Sequence, residues 1–461
     1  MNMIFKSALL ATIAQFSATA FSVEFTLPHY EKVRLENGLN IYLMEQHEVP
    51  LIDVMLVVKA GATFDTIPGL AKTTAENLLL GTKNLSRAEF EQNVEFVGTR
   101  IDSGADMESS FISASMANKD HKLILPMLRD ILLEPRFDDK EFAAQKERLI
   151  ADLERKKESP RANIGSYFNA LLFDKHPYAN DVDGNSQSLA SMELANIKQF
   201  HKAWYTPDNS AIIIAGDFKS SEMLNLLKSL FGQWQGSSKD LAPTITLPIP
   251  THSKVLLVNK GDATESTFII GGPGIARDNT DFVAISVINT VLGGRFTSWL
   301  NDELRVNSGL TYGARSRFDT KKQGGSFIIS TFTKTETTQQ AIDLALKTYA
   351  RLWEKGVDAE TLESAKAYVK GQFPPRYETS SDLAYLLADM FIYNFDEQYI
   401  NTFSEQVNLL TTERSKEIIA KYFPKDKLQF VVIGQAETLK TQLQSYGKII
   451  ETDIKFDSFS L

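Results

Sequence analysis

The stretch Gly69-Leu70-Ala71-Lys72-Thr73-Thr74-Ala75-Glu76-Asn77-Leu78-Leu79-Leu80-Gly81-Thr82 sets a run of helix-compatible residues between two glycines. A helix is predicted over about 70–80. Lys72 and Glu76 stand four apart on it and share one face, where they can pair, although Lys before Glu is the weaker order. Upstream, residues 40–44 and 52–58 read as strands. Downstream, 107–116 alternates as a strand does, and 121–155 is a long amphipathic helical region broken near Pro135. The half closes at Ser210-Ala211-Ile212-Ile213-Ile214-Ala215-Gly216-Asp217, a buried strand ended by a turn.

The same order then recurs. Residues 255–258 and 266–270 read as strands, 281–292 as a helix, and 325–332 as the alternating strand. Helices follow at 339–355 and 359–372, and Gln429-Phe430-Val431-Val432-Ile433-Gly434 matches the closing strand of the first half. Repetition at this scale indicates an internal duplication. The expected organisation is a leader at 1–22, a first domain at 23–235, a linker at 236–252 rich in Gly, Ser, Pro and Thr, and a second domain at 253–461. Strands and helices in this order predict an α+β fold: two homologous domains, each a mostly antiparallel sheet with helices packed on one face.

The chain has 461 residues, 43% hydrophobic and 23% charged, with a formal net charge of −9. That composition suits a globular protein, and the acidic balance without a basic stripe argues against nucleic acid. Lys6, an apolar run from Ala8 to about Ala20, and small residues at Ala20 and Ser22 resemble an export signal cleaved near Ser22. A retained signal anchor is the other reading. The run is too short to span a bilayer, so no stable membrane anchor is expected, and a periplasmic or secreted location is. There are no cysteines and six histidines, His29, His47, His121, His176, His201 and His252, none close to another in sequence. Neither thiolate ligands nor a local histidine pair exists for a metal.

The stretch at 69–82 resembles the zinc helix of the M16 (pitrilysin, inverzincin) peptidases, written G-L-A-H-x-x-E-H-x-x-x-x-G-T in that family. Further landmarks carry the resemblance along nearly the whole chain after the leader. His176-Pro177-Tyr178 with Gly184 is similar to the family's HPY…G. Phe200, Tyr205, Pro207 and Asn209 with Gly216-Asp217 follow its F-x-x-x-x-Y-x-P-x-N…GD. Leu292-Gly293-Gly294-Arg295-Phe296-Thr297-Ser298-Trp299-Leu300 with Leu304-Arg305 resembles LGGGFSSRLxxxLR. The implied fold is that of the LuxS/MPP-like metallohydrolases.

The resemblance also shows what is missing. Lys72, Ala75 and Glu76 stand where His, Glu and His would be, and the family's third ligand, a Glu, aligns with Asp152. Only Glu76 and Asp152 of these four can bind a metal, and Ala75 replaces the general base, so no zinc is expected on this chain. Lys72 either lies between Glu76 and Asp152 in place of the cation, or is solvated. In the second half the family supplies an Arg and a Tyr seven residues apart that bind substrate and stabilise an oxyanion. Arg305 and Tyr312 keep that spacing. Gly309 is placed to end the helix in a left-handed conformation, with Arg305 in its last turn and Tyr312 on the next strand. Spacing alone also fits an Arg complementing a helix C-terminus and a Tyr packed in a sheet. In the family, strands such as 107–116 and 325–332 border the cleft and accept an extended peptide; the plainer reading is an interior strand.

The resemblance implies a non-zinc subunit of a heteromeric M16-type metalloendopeptidase, contributing Arg305 and Tyr312 to peptide hydrolysis. Its partner would be a homologue with intact H-x-x-E-H, which would carry the zinc. The alternative is a non-catalytic extracytoplasmic peptide-binding or assembly protein.

Overall fold

The structure is a computed structural model that describes residues 25–238 and 246–456. The expected leader lies outside the described residues, as does the 239–245 part of the expected linker.

Two six-stranded sheets form the framework. The first contains β1 (Glu31–Arg34), β2 (Asn40–Glu45), β3 (Leu51–Val58), β4 (Arg100–Ala105), β5 (Ser110–Ala117) and β6 (Ser210–Gly216), in the order β1-β2-β6-β3-β5-β4. The second contains β7 (Lys254–Asn259), β8 (Glu265–Pro273), β9 (Arg315–Asp319), β10 (Ser326–Lys334), β11 (Gln429–Gly434) and β12 (Lys448–Asp453), in the order β12-β7-β11-β8-β10-β9. Read from the second position, the sheets are the same: β2, β6, β3, β5, β4 correspond to β7, β11, β8, β10, β9. Each holds a parallel pair at the same place, β2 with β6 and β7 with β11, beside antiparallel neighbours. The duplication is therefore written in the topology. Only the first edge differs, with β1 antiparallel to β2 and β12 parallel to β7.

The apolar runs fall on the centre of each sheet. β6 is buried at every position and so is β11, as continuous Ile/Val-rich strands demand. Residues on both sides of these strands are buried, so helices on a single face do not suffice. In the first sheet Ile41, Ile52, Val54, Ile212 and Ile214 face the helices of their own half. Tyr42, Met55, Val57, Ala211 and Ile213 turn the other way and meet Leu383, Ala384 and Leu387 of the Ser380–Tyr393 helix, which belongs to the second half. The exchange is reciprocal. Ile164, Phe168 and Leu171 of the Pro160–Phe173 helix cover Leu256, Ile269, Ile328 and Val431 on the second sheet. Each half lends one helix to the other. The start of the described chain crosses as well: Phe25 stacks on Tyr377 at 5.7 Å, and Tyr30 donates to Glu397 at 2.8 Å.

The two alternating segments are interior strands. β5 is paired with β3 and β4 on its two sides, and β10 with β8 and β9. Their main-chain groups are engaged on both sides, which agrees with the plainer reading of 107–116 and 325–332 as interior strands and leaves no edge there for an extended peptide. The edge strands on this side of the two sheets are β4 and β9, and the Ser316 carbonyl of β9 already accepts from the Asn289 amide at 3.0 Å.

Candidate functional site

The 69–82 stretch folds as an α-helix, Leu70–Asn77, followed by a 3-10 turn, Leu78–Leu80. Its start is fixed by Asp65, whose carboxylate accepts from the backbone N–H groups of Gly69 (2.9 Å) and Ala71 (2.8 Å). Those are donors a helix N-terminus leaves without a partner. Burial pushes the Asp65 carboxyl up to about 7, against the pull of those N–H groups. Ala75 is fully buried, and its carbonyl accepts from the Ser103 hydroxyl of β4 at 2.8 Å. The helix thus runs against the edge strand of the first sheet.

Its outward face carries a charge cluster. The Lys72 ammonium lies 2.5 Å from Asp183 and 3.7 Å from Glu76. Asp183 also binds Lys156 at 2.7 Å, and Lys156 reaches Asp181 at 3.4 Å. Burial pulls the Lys72 ammonium down, but Asp183 and Glu76 outweigh it and hold its pKa above the ordinary value. For Asp183 burial works upward, and the two lysines overcome it and leave the carboxyl below the usual range. Glu76 is shifted the other way, raised by burial that Lys72 only partly offsets.

Two expectations change here. Lys72 is not solvated, but its second partner is Asp183, not Asp152. The Asp152 carboxylate turns instead to Arg155 one turn further on and is more than half exposed. The sequence offered a signal for Asp183 in two landmark glycines. Gly69 and Gly184, with φ of 89° and 72°, pack backbone to backbone, and a Cβ on Gly69 would lie 3.0 Å from the Gly184 Cα. That contact seats the Asp181–Gly184 turn on the helix start and delivers Asp183 to Lys72. A catalytic zinc requires about three nitrogen, sulfur or oxygen ligands around an open position. An ammonium at Lys72, a methyl at Ala75 and a carboxylate at Asp152 committed to Arg155 do not fit that ion. Among the described residues no group of three or more His, Asp or Glu is arranged to hold a metal.

In the second half, Arg305 lies in a π-helical turn, Asp302–Asn307, and Gly309 ends it with φ 65°, as the spacing indicates. Tyr312 departs from expectation. It sits in the bend before β9 rather than on that strand, and it is 82% exposed. Its ring stacks on Phe332 at 6.4 Å, and the Arg161 guanidinium covers Phe332 at 3.4 Å. Arg161 begins the lent Pro160–Phe173 helix, five residues after Lys156 of the charge cluster. One short stretch of chain therefore links the altered helix with Tyr312. The Arg305 guanidinium lies 4.5 Å from the centre of the Phe296 ring.

The HPY landmark serves the joint between the halves. The buried Tyr178 hydroxyl donates to Glu108 at 2.5 Å and accepts from the Gln323 N–H at 3.0 Å, while Glu108 also accepts from the Lys322 N–H at 3.0 Å. The hairpin between β9 and β10 is thereby latched to the first half.

The duplicated sheets, with a zinc helix in outline packed on the first of them, have counterparts among known proteins. The family description "Insulinase (Peptidase family M16)" matches residues 41–185, and "Peptidase M16 inactive domain" matches residues 191–369. The chain belongs to the M16 peptidase family, as a member without the H-x-x-E-H motif. A zinc protease, PqqE, of Helicobacter pylori is 25% identical over 429 residues, covering 90% of this chain and 94% of that protein. A non-peptidase homolog, YmxG, of the same organism is 24% identical over 396 residues, covering 85% of this chain and 90% of that protein. The crystal structure of a peptidase M16 inactive domain from Pseudomonas fluorescens matches with a TM-score of 0.83 at 25% identity, over 88% of this chain and 98% of that chain. Among the described residues no helix is long and apolar enough to cross a membrane.

Proposed function

We propose that this chain is the zinc-free subunit of a heteromeric M16-type peptidase, lending Arg305 and Tyr312 to the hydrolytic centre of a partner that carries H-x-x-E-H. One contrast supports the reading above the rest. The zinc-helix face is occupied by the Lys72–Asp183 pair, while Tyr312 stands 82% exposed with Arg305 seven positions before it. A guanidinium and a phenolic hydroxyl are donors suited to the charge of a tetrahedral intermediate. On this reading the chain binds no zinc of its own, is exported by its 1–22 segment, and is inactive alone. That one organism has both a zinc protease and a non-peptidase homologue related to this chain is compatible with such a division.

The test is reconstitution. The purified chain, an H-x-x-E-H homologue from the same genome, and their mixture are assayed on a fluorogenic peptide. Activity that requires both and collapses with Arg305→Ala supports the divided enzyme; activity indifferent to Arg305→Ala and Tyr312→Phe refutes it.

A second reading, peptide capture or assembly without chemistry, is favoured by one observation. β4 pairs with β5 alone and runs beside the altered helix, so its outer edge offers main-chain groups to an extended peptide whether or not a bond is cut. Peptide binding by this chain without any gain of hydrolysis in the mixture would select this reading.

A further inference from the structure

We infer that Phe296 is the positioning residue for Arg305; the inference rests on the divided-enzyme reading. The ring is 67% exposed, so burial does not explain a phenylalanine there. It sits on the short connection between two π-helical turns, Thr290–Gly294 and Asp302–Asn307, a rare geometry that is frequent at functional sites. Its charged neighbour is the Arg305 guanidinium at 4.5 Å, and that guanidinium forms no ion pair or side-chain hydrogen bond among the described residues.

Arg351, close by in the fold, supplies the comparison. It too lies over a ring, 4.5 Å from Trp299, but it is paired with Glu303 at 3.1 Å. A carboxylate holds an arginine by occupying its N–H fork and neutralising its charge. A ring holds it by one face and leaves all five edge donors and the full charge available. Arg351 is therefore a structural arginine, whereas Arg305 is oriented and still unspent. Orientation before the reaction is what an oxyanion donor requires, because no reorganisation is then needed as charge develops.

The experiment uses the full chain assembled with its zinc-bearing homologue, hydrolysing a fluorogenic peptide. Phe296→Leu is expected to lower kcat about 2- to 5-fold with KM nearly unchanged, the size of an exposed cation–π contact. Phe296→Trp is expected to restore it, and Phe296→Leu is expected to add nothing once Arg305 is Ala. The exposed position keeps the variants folded, which thermal denaturation checks. If Arg305→Ala abolishes activity while Phe296→Leu leaves kcat intact, or if Trp fails to rescue, the positioning role is overturned and the divided enzyme stands. If Arg305→Ala itself has no effect, the divided enzyme falls and this inference with it.

Discussion

The Lys72 ammonium and the Asp183 carboxylate meet at 2.5 Å across 111 positions of sequence, at the point where the zinc helix would present its first ligand. The pair is tied to Lys156 and Asp181, so the position is closed by a network rather than by one contact. Lys72→Met leaves Glu76, Asp181 and Asp183 with a single lysine. It is expected to cost about 1–2 kcal/mol at pH 7 in urea denaturation, as for a half-buried charged hydrogen bond that loses one partner. Asp183 is depressed in the folded state, so its contribution is present above the unfolded value near ~3.9 and is lost as pH falls through the lower folded one. The penalty of Lys72→Met should therefore shrink in acid. An equal penalty at pH 3 and pH 7 would contradict this account.

Asp65 has the opposite sign. Its folded value is pushed up to about 7, so the folded state keeps a proton that the unfolded chain releases from about pH 4 upward. Stability should decline from about pH 4 to pH 7 on this account and level off beyond. Asp65→Asn cannot titrate and keeps one amide oxygen for the Gly69 and Ala71 N–H groups. Its stability profile is expected to lose that decline. The comparison of wild type and variant by urea denaturation at pH 5 and pH 8 measures it.

Tyr178 bears on the joint between the halves. Tyr178→Phe removes the hydroxyl that receives the Gln323 N–H and donates to Glu108, leaving both without it in a buried setting. The expected loss is about 1–3 kcal/mol. Because the contact ties the 319–326 hairpin to the first half, hydrogen exchange in that hairpin should quicken more than exchange in β6 or β11. Uniform acceleration throughout the chain would argue that Tyr178 acts only as a core residue.

Much of the fold was legible because repeated patterns identify repeated strands. The Ile/Val runs at 211–214 and 430–433 mark the strands at the heart of each sheet, and both are buried throughout. Alternation in β5 reports which face of a strand is covered, not whether neighbours flank it, so it left edge and interior readings both open; β5 alternates while paired on both sides. The Pro160–Phe173 and Ser380–Tyr393 helices went unread, because each is buried on several sides and carries little amphipathic periodicity, so the exchange of helices between halves was invisible. At the site, the replacement of ligands is a local fact and was readable at Lys72, Ala75 and Glu76. Asp183 went unnamed: the glycines that signal it, Gly69 and Gly184, were seen only as separate landmarks, and their contact is a tertiary fact.

Tyr312 separates function from stability most cleanly. Its ring is held on Phe332, and that ring by Arg161, while the side chain as a whole remains 82% exposed. Tyr312→Phe keeps the stacking surface and removes only the hydroxyl, so folding should change by no more than about 0.5 kcal/mol, the range of exposed substitutions. If the hydroxyl stabilises an oxyanion in the partner's centre, kcat of the assembled peptidase should fall about 10²-fold, as when one such donor is deleted. KM should move little, because the interaction belongs to the transition state and not to the bound substrate. Arg161→Ala, by contrast, removes the guanidinium that covers Phe332 without touching the hydroxyl, and should weaken activity less than Tyr312→Phe does. Steady-state kinetics of the two variants in the same assembled preparation decide it. A Tyr312→Phe variant that raises KM at constant kcat would place Tyr312 in peptide binding and remove it from the chemistry.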